Sequence, residues 1–288
     1  MQILLNGLIS GAGIALLAIA FQAVYLPTRV FFVGLAGIYA AVPFICLAVL
    51  QRTGSWWLAV PAATVAGVLL SLLAEMAVHM HLEKKKAGSG SHLIASLGTY
   101  IVLVQSIAMI WGNNPKTLRQ GLDHVSKFGS VIITGAQWVI LLGAIATIGC
   151  FLFFLARTNL GLRMRALADN PTQFRLYGYS VNSYRFLSFG LAGGIAAIAA
   201  IVTSYDLGFD VHGGLHALLL AVVAVIIGGR STFLGPLLGG LLLGVIRSQV
   251  TWHLSARWQE AVSFAMLAIV LMLLPNGLLA ARRRLEAE

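Results

Sequence analysis

Long uninterrupted runs of apolar residues dominate this sequence, and short polar or basic stretches separate them. A helix needs about 20 mostly apolar residues to cross a bilayer, and within lipid it pairs its own backbone groups. A membrane β-barrel would instead show alternating segments of about 10 residues. The runs predict helical spans near residues 3–25, 29–50, 56–78, 92–111, 131–156, 186–204 and 258–275. The pattern therefore predicts an all-α integral membrane protein, a polytopic helical bundle.

One further apolar stretch, residues 215–250, is too long for a single crossing. The turn signal at Gly228-Gly229 interrupts it, so two segments are expected there. The bundle then has eight or nine transmembrane helices in one domain, residues 1–288. The string at residues 11–15 resembles that at 193–197 and would run in the opposite direction, which leaves an inverted repeat open.

Basic residues collect in three of the connections, at residues 84–86, 157–185 and 282–284. The positive-inside rule places such connections in the cytoplasm. With nine crossings, the N-terminus lies outside and the C-terminus inside. Residues 111–130 and 205–214 are then the polar exterior connections.

Composition supports a lipid environment, since 59% of the residues are hydrophobic and 10% are charged. Soluble domains carry about 25% charged residues. The net charge of +10 would suggest nucleic-acid binding in a soluble protein. Here the basic residues lie in short connections between apolar runs, so we expect contact with the lipid membrane and no nucleic acid.

The connection 157–185 contains residues that favour the start and the end of a short helix. Asn170 is a good N-cap, Pro171 suits the first helical position, and Gly178 is a natural stop. These residues predict a helix over 171–177. It could be a rigid projection that a partner outside the bilayer pushes, or a surface helix whose arginines lie among anionic lipid headgroups.

Chemistry-bearing residues are scarce in the predicted spans. Glu75 is expected to reach water near a cytoplasmic end, and Arg247 to extend outward to the interface. His79 is expected at the interface. Ion-coupled transporters usually keep ionisable groups at depth. The scarcity of ionisable residues in the spans favours a transporter driven by an external energy source, or a passive pore.

Enzyme and cofactor signatures are also missing from the sequence. There is no P-loop, no nucleophile elbow and no paired-carboxylate motif, so we expect neither ATP binding by this chain nor an enzyme. His212 and His216 are spaced four residues apart, but no convincing set of ligands completes them. We therefore predict no metal site and no cofactor in this chain.

Four pieces of sequence, in order, carry a family resemblance. They are residues 6–7 with 14–20, residues 161–170 with 176–178, residues 224–229 with the glycines at 235–244, and residues 274–279. Over nearly its whole length the chain resembles the permease subunits of branched-chain amino acid ABC importers of the LivH type, a family that includes urea and amide relatives.

The resemblance implies the working partners and the site residues. It implies a second homologous permease, two ABC ATPases that bind ATP and Mg, a periplasmic solute-binding protein, and a bacterial inner-membrane location. Residues 157–185 look like the family's cytoplasmic coupling loop, in which the candidate coupling residues are Arg165, Asp169, Asn170, Pro171, Phe174 and Gly178. The candidate residues for the translocation path lie in the second span: Gly34, Gly37 and Tyr39.

The second span departs from the family pattern. Relatives carry a polar Asn-Phe-Ala-His-Gly-like stretch there, whereas residues 31–37 of this chain are apolar or glycine. The solute therefore stays open among branched-chain or other amino acids, urea and amides. A self-sufficient channel or facilitator for a small solute remains the alternative, because it also explains the scarcity of ionisable residues.

Overall fold

The computed structural model describes residues 1–85, 87–119, 125–128, 131–274 and 277–279. In chain order its elements are α1 (Gln2–Thr28), α2 (Gly34–Thr53), α3 (Trp56–Ala74), α4 (Met80–Lys84), α5 (Ser89–Trp111), β1 (Val125–Phe128), β2 (Val131–Thr134), α6 (Gly135–Arg157), α7 (Asn159–Asp169), α8 (Pro171–Leu176), α9 (Val181–Leu207), α10 (Gly213–Gly228), α11 (Gly235–His253) and α12 (Gln259–Leu273). A π-helical segment, Glu75–His79, joins α3 to α4, and a 3-10 turn, Ala256–Trp258, precedes α12.

Seven helices in the described part of the chain are long and apolar enough to cross a membrane. These are α1, α2, the continuous run Trp56–Lys84, α5, α6, α9 and the run Ala256–Leu273. The 16-residue helix α10 and the 19-residue helix α11 occupy the remaining predicted segments. The chain is thus a multi-pass, all-α membrane protein, as predicted, while the inverted repeat stays a prediction.

The predicted start of the fifth span, residue 131, is wrong by four residues. Val131–Thr134 forms β2, which pairs antiparallel with β1. Three of its four residues are Val or Ile, and all four are β-branched, which favours a strand. Helix α6 begins at Gly135 because Thr134 forms a capping box with Gln137, through bonds of 3.1 and 3.3 Å.

Helix α1 lies at the centre of the bundle, with α9, α10, α11 and α6 around it. Its residues from Ala15 to Val24 are all buried. The contact with α11 is close because both helices present glycine: a Cβ added to Gly244 would lie 2.3 Å from the Cα of Gly11. Small residues let helix backbones approach in this way.

Gly244→Ala is expected to destabilise the protein by about 1–3 kcal/mol, because an added methyl group has to separate two packed backbones. Gly98→Ala is the matched control, since nothing lies within 4 Å of the methyl group it would add. The melting temperatures of the two purified variants in mild detergent measure the difference. Equal melting temperatures would contradict a close α1–α11 contact.

Contacts between the helix ends sort the connections into two groups. On one side, the Gln2 amide donates to the Ile132 carbonyl over 2.7 Å, and Lys116 pairs with Phe209 by backbone bonds. On the other, the Gln22 amide donates to the Arg230 carbonyl over 2.9 Å. The connections expected outside therefore lie next to one another or to the start of α1. The connection at Arg230, which is expected inside, lies next to the other end of α1. The grouping is consistent with the predicted division of the connections between two sides, while the side that faces the cytoplasm stays a prediction; the basic residues 282–284 lie outside the described residues.

Candidate functional site

The connection between α6 and α9 is mostly helical. The sequence predicted a helix over 171–177, and α8 confirms it at Pro171–Leu176. The sequence did not predict α7, an 11-residue helix immediately before α8. We call the two helices together, residues 159–176, the coupling segment.

The ends of α8 have the predicted chemistry. The Asn170 side chain accepts the backbone N–H groups of Thr172 and Gln173, both at 3.1 Å. Pro171 takes the first helical position, where its missing N–H costs nothing. Gly178 ends the turn at a φ of 80°, a left-handed conformation that residues with a Cβ rarely adopt. The short helix is therefore fixed at both ends by local sequence.

Helix α7 is docked against the membrane helices. Gly161 lies so close to α6 that an added Cβ would be 2.3 Å from the Phe154 carbonyl oxygen. Met164 and Leu167 are fully buried on the face toward the bundle. Arg165 and Asp169, two of the predicted coupling residues, are exposed. Movement of α7 would therefore be passed directly to α6.

Phe174 anchors α8 rather than presenting a surface. It is 3% exposed, with its ring 5.2 Å from that of Tyr184 and 5.1 Å from that of Tyr179. Leu176 and Tyr177 are instead 83% and 80% exposed at the end of the helix. Residues 176–178 carried part of the family resemblance, but Leu176 and Tyr177 were not among the predicted coupling residues.

Arg163 holds the aromatic residues around α8 in place. Its guanidinium lies 4.7 Å from the centre of the Tyr179 ring and donates to the Tyr184 hydroxyl over 3.4 Å. That hydrogen bond, with the nearby Tyr179, raises the pKa of Arg163 above its ordinary value. A groove of about 540 Å³ runs between α7 and α8, with Asp169 and Asn170 among its lining residues. Its walls combine apolar, aromatic and polar groups.

The three predicted path residues lie in different places. The backbone N–H of Gly34 donates to Ser96 Oγ over 2.9 Å, and Gly37 lies against Leu103, so both glycines face α5. The Tyr39 hydroxyl is hydrogen-bonded to the Thr203 hydroxyl of α9. Tyr39 and Thr203 line a cavity of about 180 Å³ between α2, α9 and α10. Of the three, Tyr39 lines this cavity, whereas Gly34 and Gly37 pack toward α5.

Two expectations about ionisable residues are wrong. Glu75 does not reach water: its side chain is 1% exposed, and it accepts from Arg185 Nε over 2.8 Å. His79 is not interfacial but fully buried. The reason is tertiary packing: Glu75 is covered by its ion pair with Arg185 of α9, and His79 lies against Phe32, Phe189 and His92.

The charged cluster has five members: Glu75, Glu83, Arg185, His79 and His92. Arg185 bonds both carboxylates, the second over 3.0 Å from Nη1 to Glu83 Oε2. The Nδ1 atoms of His79 and His92 are 3.2 Å apart. Burying charges is costly unless they are paired and hydrogen-bonded, and Arg185 meets that condition through two partners.

A family model described as "Branched-chain amino acid transport system / permease component" matches residues 3–271. The chain belongs to this family. Its members are transport permeases, and the family is not one of enzymes. Because the match covers most of the chain, it includes the coupling segment, the cavity at Tyr39 and the charged cluster alike.

Individual relatives agree with the family match. The chain is 25% identical to "High-affinity branched-chain amino acid transport system permease protein LivH" of Escherichia coli strain K12, over 97% of this chain and 95% of that protein. It is 30% identical to "Autoinducer 2 import system permease protein LsrD" of Klebsiella pneumoniae, over 79% and 70%.

A solved structure, "PsaBC from Streptococcus pneumoniae in complex with Fab", has a similar fold. The TM-score is 0.52 at 12% identity, over 94% of this chain and 91% of the solved one. At this identity the likeness concerns the fold alone. It supports the helix arrangement described above.

Proposed function

We propose that this permease is the membrane-spanning subunit of an ABC importer and forms half of a path for a small polar solute. One observation carries the proposal: a capped helix docked on the bundle leaves Leu176 and Tyr177 at its end 83% and 80% exposed. Exposed apolar side chains on a rigid projection are typical of a docking surface. A helix lying among lipid headgroups would not need the buried Phe174 anchor.

The proposed assembly contains a second homologous permease, two ATPases that bind ATP and Mg, and a periplasmic binding protein, in a bacterial inner membrane. In it, α8 occupies a cleft of an ATPase. Arg165 and Asp169 flank α8 on the exposed side of α7, where they can contact the same partner. ATP binding would then favour one state of the permease over the other, which is the condition for driving a conformational change.

The path is proposed to pass the cavity between α2, α9 and α10. Its hydroxyl groups, from Tyr39 and Thr203, offer hydrogen bonds to a small polar solute. The helix contacts at Gly34 and Gly37 let α2 approach α5 closely beside it. Branched-chain or other amino acids, urea and amides are the proposed solutes. The names of relatives, which mention branched-chain amino acids and autoinducer 2, support a small solute in general.

Co-purification tests the proposal. The tagged chain is extracted from its native membranes in mild detergent, and mass spectrometry identifies what accompanies it. We expect ATPase subunits and a second permease. A homo-oligomer that lacks an ATPase and carries solute into liposomes without ATP would contradict the importer and favour the self-sufficient channel.

A further inference from the structure

We propose that Arg185 is the positioning residue that transmits movement of the coupling segment into α3 and α5, through its buried bond to Glu75 and its partly exposed bond to Glu83. The inference rests on the proposed function and extends it, because it names the route between the ATPase side and the transmembrane helices. Neither glutamate is near Arg185 in the chain; the bonds to Glu75 and Glu83 join residues 110 and 102 positions apart.

The link starts at α8. Phe174, the buried side chain of α8, meets the Tyr184 ring edge to face at 5.2 Å. Tyr184 and Leu167 complete a small apolar cluster with Phe174 that is separate from the main core. Tyr184 lies in the first turn of α9, directly before Arg185. A displacement of α8 therefore moves the turn that carries Arg185.

The receiving end is the π-helical segment that follows α3. Glu75 is its first residue, and Glu83 lies four residues beyond its last residue, in α4. Arg185 thus bonds the first residue of this segment and a residue in the helix that follows it, over 2.8 and 3.0 Å. Single π-helical turns inside α-helices occur frequently at functional sites. The guanidinium fixes the orientation of a segment with unusual geometry.

From this segment the contacts continue into other spans. His79, within the π-helical segment, lies 3.2 Å from His92 of α5 between the Nδ1 atoms. Its ring also lies 5.5 Å from Phe32, just before α2, and 5.4 Å from Phe189 of α9. The cluster therefore joins the Arg185 position to α3, α5, α9 and the start of α2. Helix α2 carries Tyr39, which lines the cavity proposed for the solute.

Stability alone is a poor reason for these charges. Apolar residues of similar volume usually hold buried helices together at least as well as an ion pair does. An arginine that bonds two carboxylates adds fixed geometry, because its planar donors have set directions. An ion pair with fixed geometry at this position therefore suits a contact through which α9 and the π-helical segment move together.

The test follows a conformational change in the assembled complex and does not need the solute. Cys46 and Cys150, the only cysteines in the sequence, are replaced by alanine, and Ala217→Cys places a thiol on the wall of the Tyr39 cavity. The complex with its ATPases is reconstituted in lipid nanodiscs. A polar maleimide then labels the thiol with and without ATP plus vanadate, and we expect nucleotide to change the labelling rate.

The decisive variant is Glu75→Met/Arg185→Met, which removes both charges and leaves neither unpaired. We expect it to insert, bind the ATPases and melt near the parent temperature, but to lose the nucleotide-dependent change in labelling. Arg247→Met is the matched control: this partly buried arginine bonds Gln259 and Ser263 of α12, away from the coupling segment. It should keep the change.

If nucleotide changes the labelling rate of the double variant as much as that of the parent, the inference is overturned, and the ion pair is only a structural contact. Where the double variant fails to insert, Arg185→Lys decides, because lysine keeps the charge but cannot reach both carboxylates with the same geometry. We then expect a reduced response, and an unchanged response would overturn the inference. A parent complex that binds no ATPase would instead remove the proposed function, and the inference with it.

Discussion

Replacing Leu176 and Tyr177 with glutamate is expected to detach the ATPase subunits while leaving the permease folded. Both side chains are more than three-quarters exposed, so the folded chain loses little packing. In a docked complex they would be desolvated, and a central aromatic contact such as Tyr177 would make is worth roughly 2 kcal/mol where it is a hot spot. Since about 1.4 kcal/mol is a factor of ten, even one such contact corresponds to about 30-fold weaker binding.

The measurement is the ATPase recovered per tagged permease, with yield and melting temperature as checks on folding. Lys85→Glu is the matched control, because it changes the net charge by the same two units at an exposed position after α4. We expect it to retain the ATPase. Undiminished recovery with Leu176→Glu/Tyr177→Glu would show that α8 is not the docking site.

Glu75→Ala is expected to cost the largest amount of stability of any single substitution discussed for this chain. It leaves the Arg185 guanidinium, 5% exposed, with only the half-exposed Glu83 as a charged partner. Breaking a buried pair from one side typically costs about 3–5 kcal/mol, because the remaining charge is uncompensated. Thermal unfolding of the purified protein in detergent should show a clear drop in melting temperature.

Glu83→Ala provides the comparison. Its carboxylate contacts the same Arg185, but its side chain is 44% exposed. Exposed ion pairs contribute about 0–1 kcal/mol, so a much smaller drop is expected. Restoration of the melting temperature in Glu75→Met/Arg185→Met would confirm that the loss comes from an unpaired charge. Equal losses in the two alanine variants would contradict the burial of Glu75.

Short-range features of this protein could be predicted from its sequence. The spans followed from apolar runs of sufficient length. Helix α8 followed from Asn170, Pro171 and Gly178, since a cap, a first-turn proline and a stop glycine act on backbone groups a few residues away. The family followed from motifs in order along the chain, and the orientation drawn from the basic connections stays a prediction. The roles of the predicted coupling and path residues remain predictions.

Longer-range features could not be predicted in this way. Most spans are apolar on every side, so no periodic pattern separates a face that contacts lipid from one that contacts another helix. The sequence therefore could not distinguish Gly244, which packs against α1, from Gly98, which meets nothing. For the same reason Gly34, Gly37 and Tyr39 looked equivalent as path residues, although Tyr39 lines the cavity between α2, α9 and α10 and the two glycines pack toward α5.

By itself, then, the sequence determined the lipid environment, the apolar segments of membrane-spanning length and the capped helix, because each depends on residues close together in the chain. The tertiary structure alone decided that Phe174 is an anchor, that Leu176 and Tyr177 are exposed, and that Glu75 meets Arg185. A charge near the end of an apolar run looks solvated until its partner is known. That partner lies 110 residues away, and only the packing of α3 against α9 brings the two together.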